Sequence, residues 1–433
     1  MSTNFKSVQL STWRQYRNID IDFHPRLTVI TGPNGTGKST ILSILNRHFG
    51  YNRNYLSTPG KRKNGAVIFR TGVYRWLADR FSKKEPTNDN EIGSLQYSSD
   101  QIASIHVPNS TAIQYNVSVK NQQNVAGIHI DSHRPPSVYR QVPNISTSPL
   151  NKSNISGALS DELRQFYIDG QSSRGTLFHI KSALIAMSMF GHGNKTMEPD
   201  PELINLFEGF EEKLKIVLPK SLGFKNLAIR MPEVLLATET GDFVLDAASG
   251  GVIKLFEIVW QIYFFSLEHT NFVVTMDEPE NHLHPSMQRT FLKNLMDAFP
   301  SAQFIVVTHS PFVVSSVENS LVYVLNYVDV EGIKELDDES DQSIKGLMGA
   351  RVDSVCLDTV NRAGTASQIL REALGVPTTI PDWADQRTRE ILAEYKSKPI
   401  TDQTLDELTD ELESQGLVSE IPSAIHELTK KHD

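Results

Sequence analysis

Eight consecutive residues near the amino terminus have the composition and spacing of a phosphate-binding loop. They fit the pattern G-x-x-x-x-G-K-[ST] at every fixed position, in the string Gly32-Pro33-Asn34-Gly35-Thr36-Gly37-Lys38-Ser39. The apolar run Leu27–Ile30 precedes the loop, and a helix is expected after it over Lys38–Phe49. Glycines let backbone amides turn toward an anion, and the start of a helix adds its positive dipole end. The loop therefore predicts a site for nucleotide phosphates.

Individual residues of this loop have predicted roles toward ATP and its magnesium ion. Lys38 would reach the β- and γ-phosphates, and Ser39 would ligate Mg²⁺. Thr40 would support the α-phosphate side. The backbone before the lysine would cradle the phosphates through four residues, Asn34, Gly35, Thr36 and Gly37. A glycine-rich turn with a chance lysine is the alternative, and the complete match within the expected strand and helix argues against it.

Two acidic residues directly follow a second apolar strand. The run Phe272–Met276 is followed by Asp277 and Glu278. Asp277 would hold Mg²⁺, directly or through water, and Glu278 would polarise the attacking water as a general base. Acid pairs are common where loops begin, so the pair alone is weak evidence. Its place between a phosphate loop and the next motif is typical of a Walker B element.

A histidine follows the next apolar strand, Phe304–Thr308. Lone histidines at strand ends are more often structural than catalytic. Open α/β sheets, however, bind ligands at the carboxyl ends of their strands. We therefore expect His309 to hydrogen-bond the γ-phosphate and to act as a switch.

A serine and two glycines stand at the expected start of the helix that precedes the acid pair. Ser249, Gly250 and Gly251 would present a hydroxyl and free amides to an anion. Such a triplet is otherwise only a loop. Its position shortly before the acids predicts that it belongs to the nucleotide machinery.

These motifs together resemble the ABC-type ATPases, and within them a narrower group, the OLD-like AAA ATPases. The narrower resemblance rests on the string Asp277-Glu278-Pro279-Glu280-Asn281-His282-Leu283-His284-Pro285, followed later by Thr308-His309-Ser310-Pro311. The group includes the ATPase subunits of bacterial anti-phage systems such as PARIS and Septu, and is more distantly related to SMC-type repair ATPases. The match covers Ser7–Gly50 and Ala237–Ser316 well, Tyr51–Leu236 only in outline and the tail weakly.

The resemblance implies a head-to-tail homodimer, or a higher homo-oligomer, with ATP and Mg²⁺ at the interface. Each site would join the serine–glycine triplet of one chain to four residues of the other, Lys38, Asp277, Glu278 and His309. The loop Asn281–Pro285 would cross the dimer. The implied role is that of a sensor ATPase in anti-phage defence, which controls a separate toxic effector protein.

The sequence departs from the commoner Leu-Ser-Gly-Gly-Gln signature on both sides of the triplet. Ala248 precedes the serine, and Val252 replaces the final glutamine. A further glutamine, that of the Q-loop, is expected within Tyr51–Asn144. Gln96 and Gln141 are both candidates for it.

The motifs require an α/β fold in which several strands end at one edge. We expect an ABC-type P-loop ATPase head with an antiparallel β subdomain, a helical insertion and a small helical C-terminal domain. Alternating β-type runs between Ala66 and Ile130 favour the antiparallel part. The expected segments are 1–143 and 227–330 for the two parts of the ATPase domain, 144–226 for the helical insertion and 331–433 for a mostly helical C-terminal region.

Composition narrows the class of protein. The 433 residues carry a formal net charge of −9, which argues against a surface covered by nucleic acid but permits a local groove for DNA. The single cysteine, Cys356, permits neither an internal disulfide nor a cysteine metal site and suits a reducing cytoplasm. The apolar stretch Val252–Leu267 is interrupted by polar residues, so no membrane span is expected.

A DNA-repair or DNA-maintenance ATPase of the SMC type is the main alternative function. Such proteins carry long heptad-repeat arms, and the insertion here is short and broken by proline and glycine. A TOPRIM nuclease is not expected, because Asp329–Gly332 matches its opening weakly and no Asp-x-Asp strand follows. His282 and His284 are interpreted as loop residues rather than metal ligands. Trp13 and Tyr16 would pack either in the core or against adenine.

Overall fold

A computed structural model describes most of the chain, which forms two compact units. The described residues are 3–61, 66–72, 89–135, 138–145, 151–170, 172, 174–328, 351–357, 369, 382–396, 398 and 401–429. The first unit is Met1–Ile369 and the second is Leu370–Asp433. All the candidate motifs lie in the first unit.

The first unit alternates strands with helices. Its strands are β1 Phe5–Leu10, β2 Tyr16–Asp22, β3 Leu27–Thr31, β4 Tyr55–Leu56, β5 Thr58–Lys61, β6 Val67–Arg70, β7 Asp89–Tyr97, β8 Ile102–Pro108, β9 Gln114–Tyr115, β10 Ser118–Lys120, β11 Gly127–Ile130, β12 Phe224–Arg230, β13 Glu233–Thr238, β14 Gly241–Val244, β15 Phe272–Asp277, β16 Ala302–Val307, β17 Leu321–Val328 and β18 Arg351–Cys356. Its α-helices are α1 Lys38–Asn46, α2 Lys152–Asp169, α3 Thr176–His192, α4 Pro201–Val217, α5 Gly250–Glu268, α6 Pro285–Gln288, α7 Phe291–Ala298 and α8 Pro311–Val314. Single 3₁₀ turns lie at Arg47–Phe49, Lys220–Leu222 and Leu245–Ala247.

Within the described residues, one eleven-stranded sheet forms the framework of this unit, in the order β10-β8-β7-β1-β2-β18-β17-β3-β16-β15-β11. Strands β17, β3, β16, β15 and β11 are parallel neighbours. Strands β10, β8, β7, β1 and β2 pair antiparallel. The expected fold class, an α/β head with an antiparallel β subdomain, is confirmed. The carboxyl ends of the parallel strands meet along one edge, where ligands bind in such sheets.

Burial follows the two halves of the sheet. Every residue of β3 and β16 is buried, as expected for parallel strands that are covered on both faces. In β2, Ile19 and Ile21 are buried whereas Asp20 and Asp22 are exposed, which is the alternation of a strand with one covered face. The central parallel strands therefore give the motif loops a rigid base.

Helices α2, α3 and α4 follow the first half of the sheet in the chain. The small antiparallel sheet β12-β13-β14 comes next and leads into α5. Helix α4 has a well-defined start, because the Asp200 side chain accepts hydrogen bonds from the amides of Glu202 and Leu203, and Pro201 occupies the first turn. These elements occupy the segment expected as a helical insertion and part of the segment after it.

Helix α5 is the most apolar long helix among the described residues. By length and composition it could cross a membrane, although its sequence contains Lys254, Glu257 and Gln261. The expectation that these residues exclude a span by composition is therefore wrong. Its most apolar stretch is 67% buried inside the protein, as is usual for a core helix.

Strand β18 lies beyond the boundary expected at residue 331. Arg351–Cys356 pairs antiparallel with β17 and parallel with β2, so the main sheet includes a strand from the segment expected to be mostly helical. Asp353 of this strand pairs with Arg17 of β2. Asp329–Gly332, the weak nuclease match, lies outside the described residues.

The second unit is helical where it is described. It contains α9 Asp382–Tyr395, α10 Asp402–Ser414, a 3₁₀ turn at Val418–Glu420 and α11 Ile421–Thr429. It has its own small core, formed by Ala384, Ile391, Leu392, Tyr395, Leu408, Leu412, Leu417, Ala424 and Leu428.

Candidate functional site

The carboxyl edge of the parallel strands gathers the main sequence-predicted residues. The phosphate loop follows β3, Asp277 ends β15, and His309 lies just beyond β16. Backbone pairing aligns these ends, because Val307 lies opposite both Ile30 and Asp277. The Glu278 amide donates a hydrogen bond to the Val307 carbonyl at 2.9 Å. Three motifs that are distant in the chain therefore meet at one place.

The phosphate loop encloses its own lysine. Lys38 is buried, and its ammonium group donates to the carbonyls of Gly32 and Pro33, both at 2.9 Å. Burial lowers the Lys38 pKa to about 8, although the charges of Glu278 and Asp277 oppose this shift. Phosphate oxygens would be stronger acceptors for this ammonium group than neutral carbonyls are.

A buried tyrosine holds the end of the loop from behind. The Tyr16 hydroxyl donates to the Gly37 carbonyl at 2.6 Å. Gly37 has a φ of 94°, and a β-carbon there would lie 2.4 Å from the same hydroxyl, so only glycine fits. The Thr40 amide donates to the Gly37 carbonyl at 2.9 Å in the first turn of α1. Trp13 and Tyr16 are both fully buried, so of the two expected placements the core is the correct one.

Other side chains hold the outer carbonyls of the loop. Gln15 Nε2 donates to the Gly35 carbonyl at 3.0 Å. The Tyr327 hydroxyl donates to the Asn34 carbonyl at 3.3 Å. The Thr36 hydroxyl donates at 2.9 Å to the carbonyl three residues before it. Since these carbonyls already have donors, the loop is fixed in shape by its surroundings.

A hydroxyl and a carboxylate beside the loop suit a magnesium ion. The Ser39 hydroxyl donates to Asp277 Oδ1 at 3.2 Å. Burial raises the Asp277 pKa to about 6, against the effect of the Ser39 bond, and the charges of Asp131 and Glu278 add to the increase. A divalent cation would stabilise carboxylates in such surroundings. Magnesium usually takes one or two carboxylates together with substrate phosphates, so these residues fit the ion.

A carboxylate and an imidazole face each other next to this pair. Glu278 Oε1 lies 3.7 Å from His309 Nε2, and Asn281 Nδ2 donates to Glu278 Oε2 at 3.1 Å. Burial and the charge of Lys38 lower the His309 pKa, with Glu278 opposing them, so the imidazole is neutral at pH 7. Glu278 has a φ of 44°, and such left-handed backbone in a non-glycine residue is concentrated at functional sites.

The serine–glycine triplet forms the start of α5. Ser249 is the N-cap residue, and its side chain makes no capping hydrogen bond. Ser249 and Gly250 are exposed, whereas Gly251 is buried. A β-carbon on Gly251 would lie 2.9 Å from the His282 carbonyl, so glycine lets α5 approach the loop that follows the acid pair. An exposed hydroxyl thus lies at the positive end of a long helix.

Comparison with known families agrees with this geometry. A family model described as an AAA domain matches residues 7–226, which is half of the chain. The chain belongs to the AAA domain family. A second AAA-domain model matches residues 231–315, the segment that carries the triplet, the acid pair and His309. The domain is therefore an ATPase of the AAA type.

Individual relatives confirm the expected resemblance to OLD-like ATPases. The Septu protein PtuA of Bacillus thuringiensis is 21% identical over 381 residues, which are 82% of this chain and 84% of that protein. The OLD nuclease of Thermus scotoductus is 22% identical over 328 residues, 71% of this chain and 59% of that protein. The retron Vc95 probable ATPase of Vibrio cholerae is 40% identical over 57 residues, so this chain spans only 11% of its length. Among solved structures, the SMC head domain from Thermotoga maritima matches 82% of this chain and 99% of that chain, with 14% identity and a TM-score of 0.38.

One buried acid of the AAA domain was not singled out from the sequence. Glu280 Oε1 accepts hydrogen bonds from the Thr308 hydroxyl at 2.6 Å and from the His309 amide at 2.9 Å. The Ser310 amide in turn donates to the Thr308 hydroxyl at 2.9 Å. Glu280 therefore ties the acid-pair loop to the histidine. The sequence shows Glu280 two residues after Glu278, but it does not show that Glu280 is buried against Thr308 and His309.

The expected Q-loop glutamine is absent from the strand end beside Asp277 in the described part of the chain. Gln96 lies on β7 in the antiparallel half and accepts a hydrogen bond from Ser7 at 3.4 Å. Gln141 is exposed and lies in the segment 138–145, outside the strands. Strand β11 runs parallel to β15 and is followed by Asp131, an acid that raises the Asp277 pKa. In the sequence, the alternating β-type run that ends at Ile130 indicated that a strand ends just before Asp131.

The two loop histidines have structural surroundings. The His284 ring accepts a hydrogen bond from the Ser286 amide at 3.3 Å and caps α6. His282 has a φ of 72° in the turn before it. Among the described residues, no group of three or more His, Cys, Asp or Glu side chains is arranged to hold a metal ion. Phosphate oxygens and water would have to complete the coordination of any magnesium bound at Ser39.

Proposed function

We propose that this AAA ATPase hydrolyses ATP at sites that are each shared by two copies of the chain. The observation that carries the proposal is the meeting of two pairs of side chains at one edge of the sheet. Ser39 is hydrogen-bonded to Asp277, and Glu278 faces His309. A cation-binding pair beside a carboxylate and an imidazole supplies what hydrolysis of a phosphoanhydride requires.

The phosphate loop binds the triphosphate. Lys38 moves its hydrogen bonds from loop carbonyls to the β- and γ-phosphates, and the amides of 34–37 bind the same oxygens. Thr40 supports the α-phosphate side. Ser39 and Asp277 would hold Mg²⁺, which would supply positive charge to the phosphate oxygens during transfer.

Glu278 accepts the proton of the attacking water. Asn281 holds one oxygen of this carboxylate, and the other oxygen, on the side of His309, faces the water. His309, whose Nε2 lies 3.7 Å from Glu278 Oε1, donates a hydrogen bond to the γ-phosphate. Glu280 keeps His309 in place through the His309 backbone amide.

A second copy completes the site with Ser249, Gly250 and Gly251. Ser249 and Gly250 are exposed, and Ser249 makes no capping hydrogen bond, so its hydroxyl is available to an anion at the positive end of α5. The γ-phosphate bound to one chain is that anion. ATP therefore joins two chains, in a homodimer or a higher homo-oligomer, and hydrolysis separates them.

In the cell, we propose a cytoplasmic sensor ATPase of anti-phage defence that holds or releases a separate effector protein. The resemblance to the ATPase subunits of anti-phage systems, and the similarity to Septu PtuA along most of both chains, support this role. The size of such a switch is set by the difference in ATP affinity between the open and closed states, not by total affinity. A local groove for DNA is compatible with this role.

Phage challenge of cells that carry the native locus tests the defence role. We expect the wild-type locus to lower phage plating by at least about tenfold for a susceptible phage. Lys38→Met should abolish this protection, because the phosphate loop then lacks the lysine that binds the β- and γ-phosphates. Plaque counts on matched wild-type, variant and empty-vector strains provide the measurement.

Survival after DNA damage is measured on the same three strains. Equal plaque counts for wild type and Lys38→Met across a broad phage panel would refute the defence role. If the variant instead sensitised cells to DNA cross-linking, the chain would be a DNA-maintenance ATPase of the SMC type.

A further inference from the structure

A fully buried lysine joins helix α3 to the segment just before the serine–glycine triplet. The Lys181 side chain has no exposed area. Its ammonium group donates to Asp246 Oδ2 at 2.7 Å and to the Arg140 carbonyl at 2.8 Å, and Glu233 Oε2 lies 3.6 Å away. The lysine thus contacts three separate segments of the chain.

Charge balance makes this contact hard to rearrange. Asp246 Oδ1 and Glu233 Oε2 are buried and have no hydrogen-bond partner among the described residues. Lys181 places one positive charge beside these two carboxylates, and its direct hydrogen bond is with Asp246. Removing one partner of a buried ion pair strongly destabilises that arrangement, because it leaves an uncompensated charge. The position of Asp246 is therefore fixed by Lys181.

Asp246 controls where the triplet lies. It belongs to the 3₁₀ turn Leu245–Ala247, which the Ala248 amide closes by donating to the Leu245 carbonyl at 3.1 Å. Ser249 follows directly and begins α5. A displacement of Asp246 would therefore move the Ser249 hydroxyl and the first turn of α5.

The same helix has a second link to α5. The Thr176 hydroxyl at the start of α3 donates to Glu257 Oε1. Glu257 Oε2 in turn accepts a hydrogen bond from Arg134 Nη1 at 3.2 Å. Arg134 lies shortly after Asp131, at the edge of the sheet where the phosphates would bind. Helix α3 is thus joined both to the turn that precedes α5 and to the middle of α5.

We propose that Lys181 is a positioning residue that holds Ser249 and the start of α5 in place for the nucleotide bound by a second copy. This inference rests on the shared site proposed above. Among the described residues, no hydrogen bond or ion pair joins Lys181 to the phosphate loop of its own chain, which is held by Gln15, Tyr16, Tyr327 and Asp277. Loss of Lys181 should therefore weaken ATP-dependent association of two chains and leave ATP binding by a single chain intact.

Two binding measurements on Glu278→Gln chains separate these effects. Affinity for a fluorescent ATP analogue is measured at a chain concentration too low for association. The dissociation constant of the dimer is measured by analytical ultracentrifugation with saturating ATP and Mg²⁺. For Lys181→Met in this background, we expect the dissociation constant of the dimer to increase by at least about tenfold. The affinity of the single chain for the ATP analogue should change by less than about threefold.

Lys213→Met is the control for losing a lysine that anchors a helix through a backbone carbonyl and an aromatic ring. Lys213 also anchors a helix of the same region, since it donates to the Ala298 carbonyl at 2.9 Å and lies 5.6 Å from the centre of the Phe299 ring. Lys181 likewise donates to a backbone carbonyl and lies near an aromatic ring, with its ammonium group 5.0 Å from the centre of the Tyr139 ring. Because Lys213 does not contact the triplet segment, its loss should leave the dimer constant unchanged.

A milder variant covers the case in which Lys181→Met does not fold. The exposed Tyr139 donates its hydroxyl to Glu233 Oε1 at 2.6 Å, so Tyr139→Phe loosens the same cluster without burying a charge. We expect dimer dissociation to increase by about threefold. The role of Lys181 would be overturned if the dimer dissociation constant were unchanged in Lys181→Met and Tyr139→Phe. It would also be overturned if Lys213→Met increased that constant as much as Lys181→Met does. A parent chain that never associates with ATP would instead refute the shared site itself.

Discussion

Replacing Glu278 with glutamine should lower ATP turnover by at least about 100-fold, the range expected when a general base is removed. Glutamine has the shape of glutamate and keeps a carbonyl acceptor for Asn281, but it cannot take a proton from water. Nucleotide binding depends on the phosphate loop and should remain within about threefold of wild type, because the Glu278 side chain does not bond to that loop.

Steady-state phosphate release and fluorescent nucleotide binding measure the two halves of this prediction. Glu208→Gln, on the exposed face of α4, is the matched control and should turn over ATP at the wild-type rate. Turnover by Glu278→Gln within a few-fold of wild type would mean that another group accepts the proton.

Placing an acid in the triplet should abolish turnover without harming the single chain. Gly250 is exposed, and a β-carbon there would meet only the His282 side chain, at 3.9 Å, so Gly250→Asp fits the fold. An acid in the first turn of a helix is favourable to that helix. The same carboxylate would repel the γ-phosphate offered by a second chain. We expect turnover to fall by at least about 100-fold, which is the scale of losing a preorganised anion-binding group.

Gly250→Ala provides the steric control for that substitution. Alanine adds the β-carbon without the charge, so most of the turnover should remain. Phosphate release and the thermal unfolding midpoint are measured for both variants. If Gly250→Asp unfolds at the wild-type temperature and still turns over ATP normally, the triplet has no part in the site.

The sequence predicted the parts of the site that depend on short strings. The phosphate loop, the acid pair and His309 each follow an apolar run, and parallel strands bring such ends together. Their placement at one edge therefore followed from local pattern and a general rule. The antiparallel subdomain was also predictable, because alternating residues such as Ile19 and Asp20 indicate strands with one covered face.

Features that depend on long-range packing could not be predicted in the same way. Strand β18 pairs with β2, near the other end of the chain, as well as with β17, and nothing in Arg351–Cys356 specifies those partners. The contact between Lys181 and Asp246 joins residues that are far apart in sequence. Nothing in the sequence distinguishes Glu280 and Asp131 from other acidic residues. Only the folded chain places Glu280 against His309 and Asp131 near Asp277.

If each ATP site contains residues of two chains, mixing two inactive variants should restore activity. Lys38→Met lacks an intact phosphate loop but has an intact triplet, and Gly250→Asp has the reverse. A mixed head-to-tail dimer would hold one intact site. ATP turnover of an equimolar mixture is measured against each variant alone. The shared site predicts recovery to roughly a quarter of the wild-type rate, because half of randomly formed pairs are mixed and each has one intact site of two. A mixture that stays as inactive as its components at every ratio would contradict the shared site.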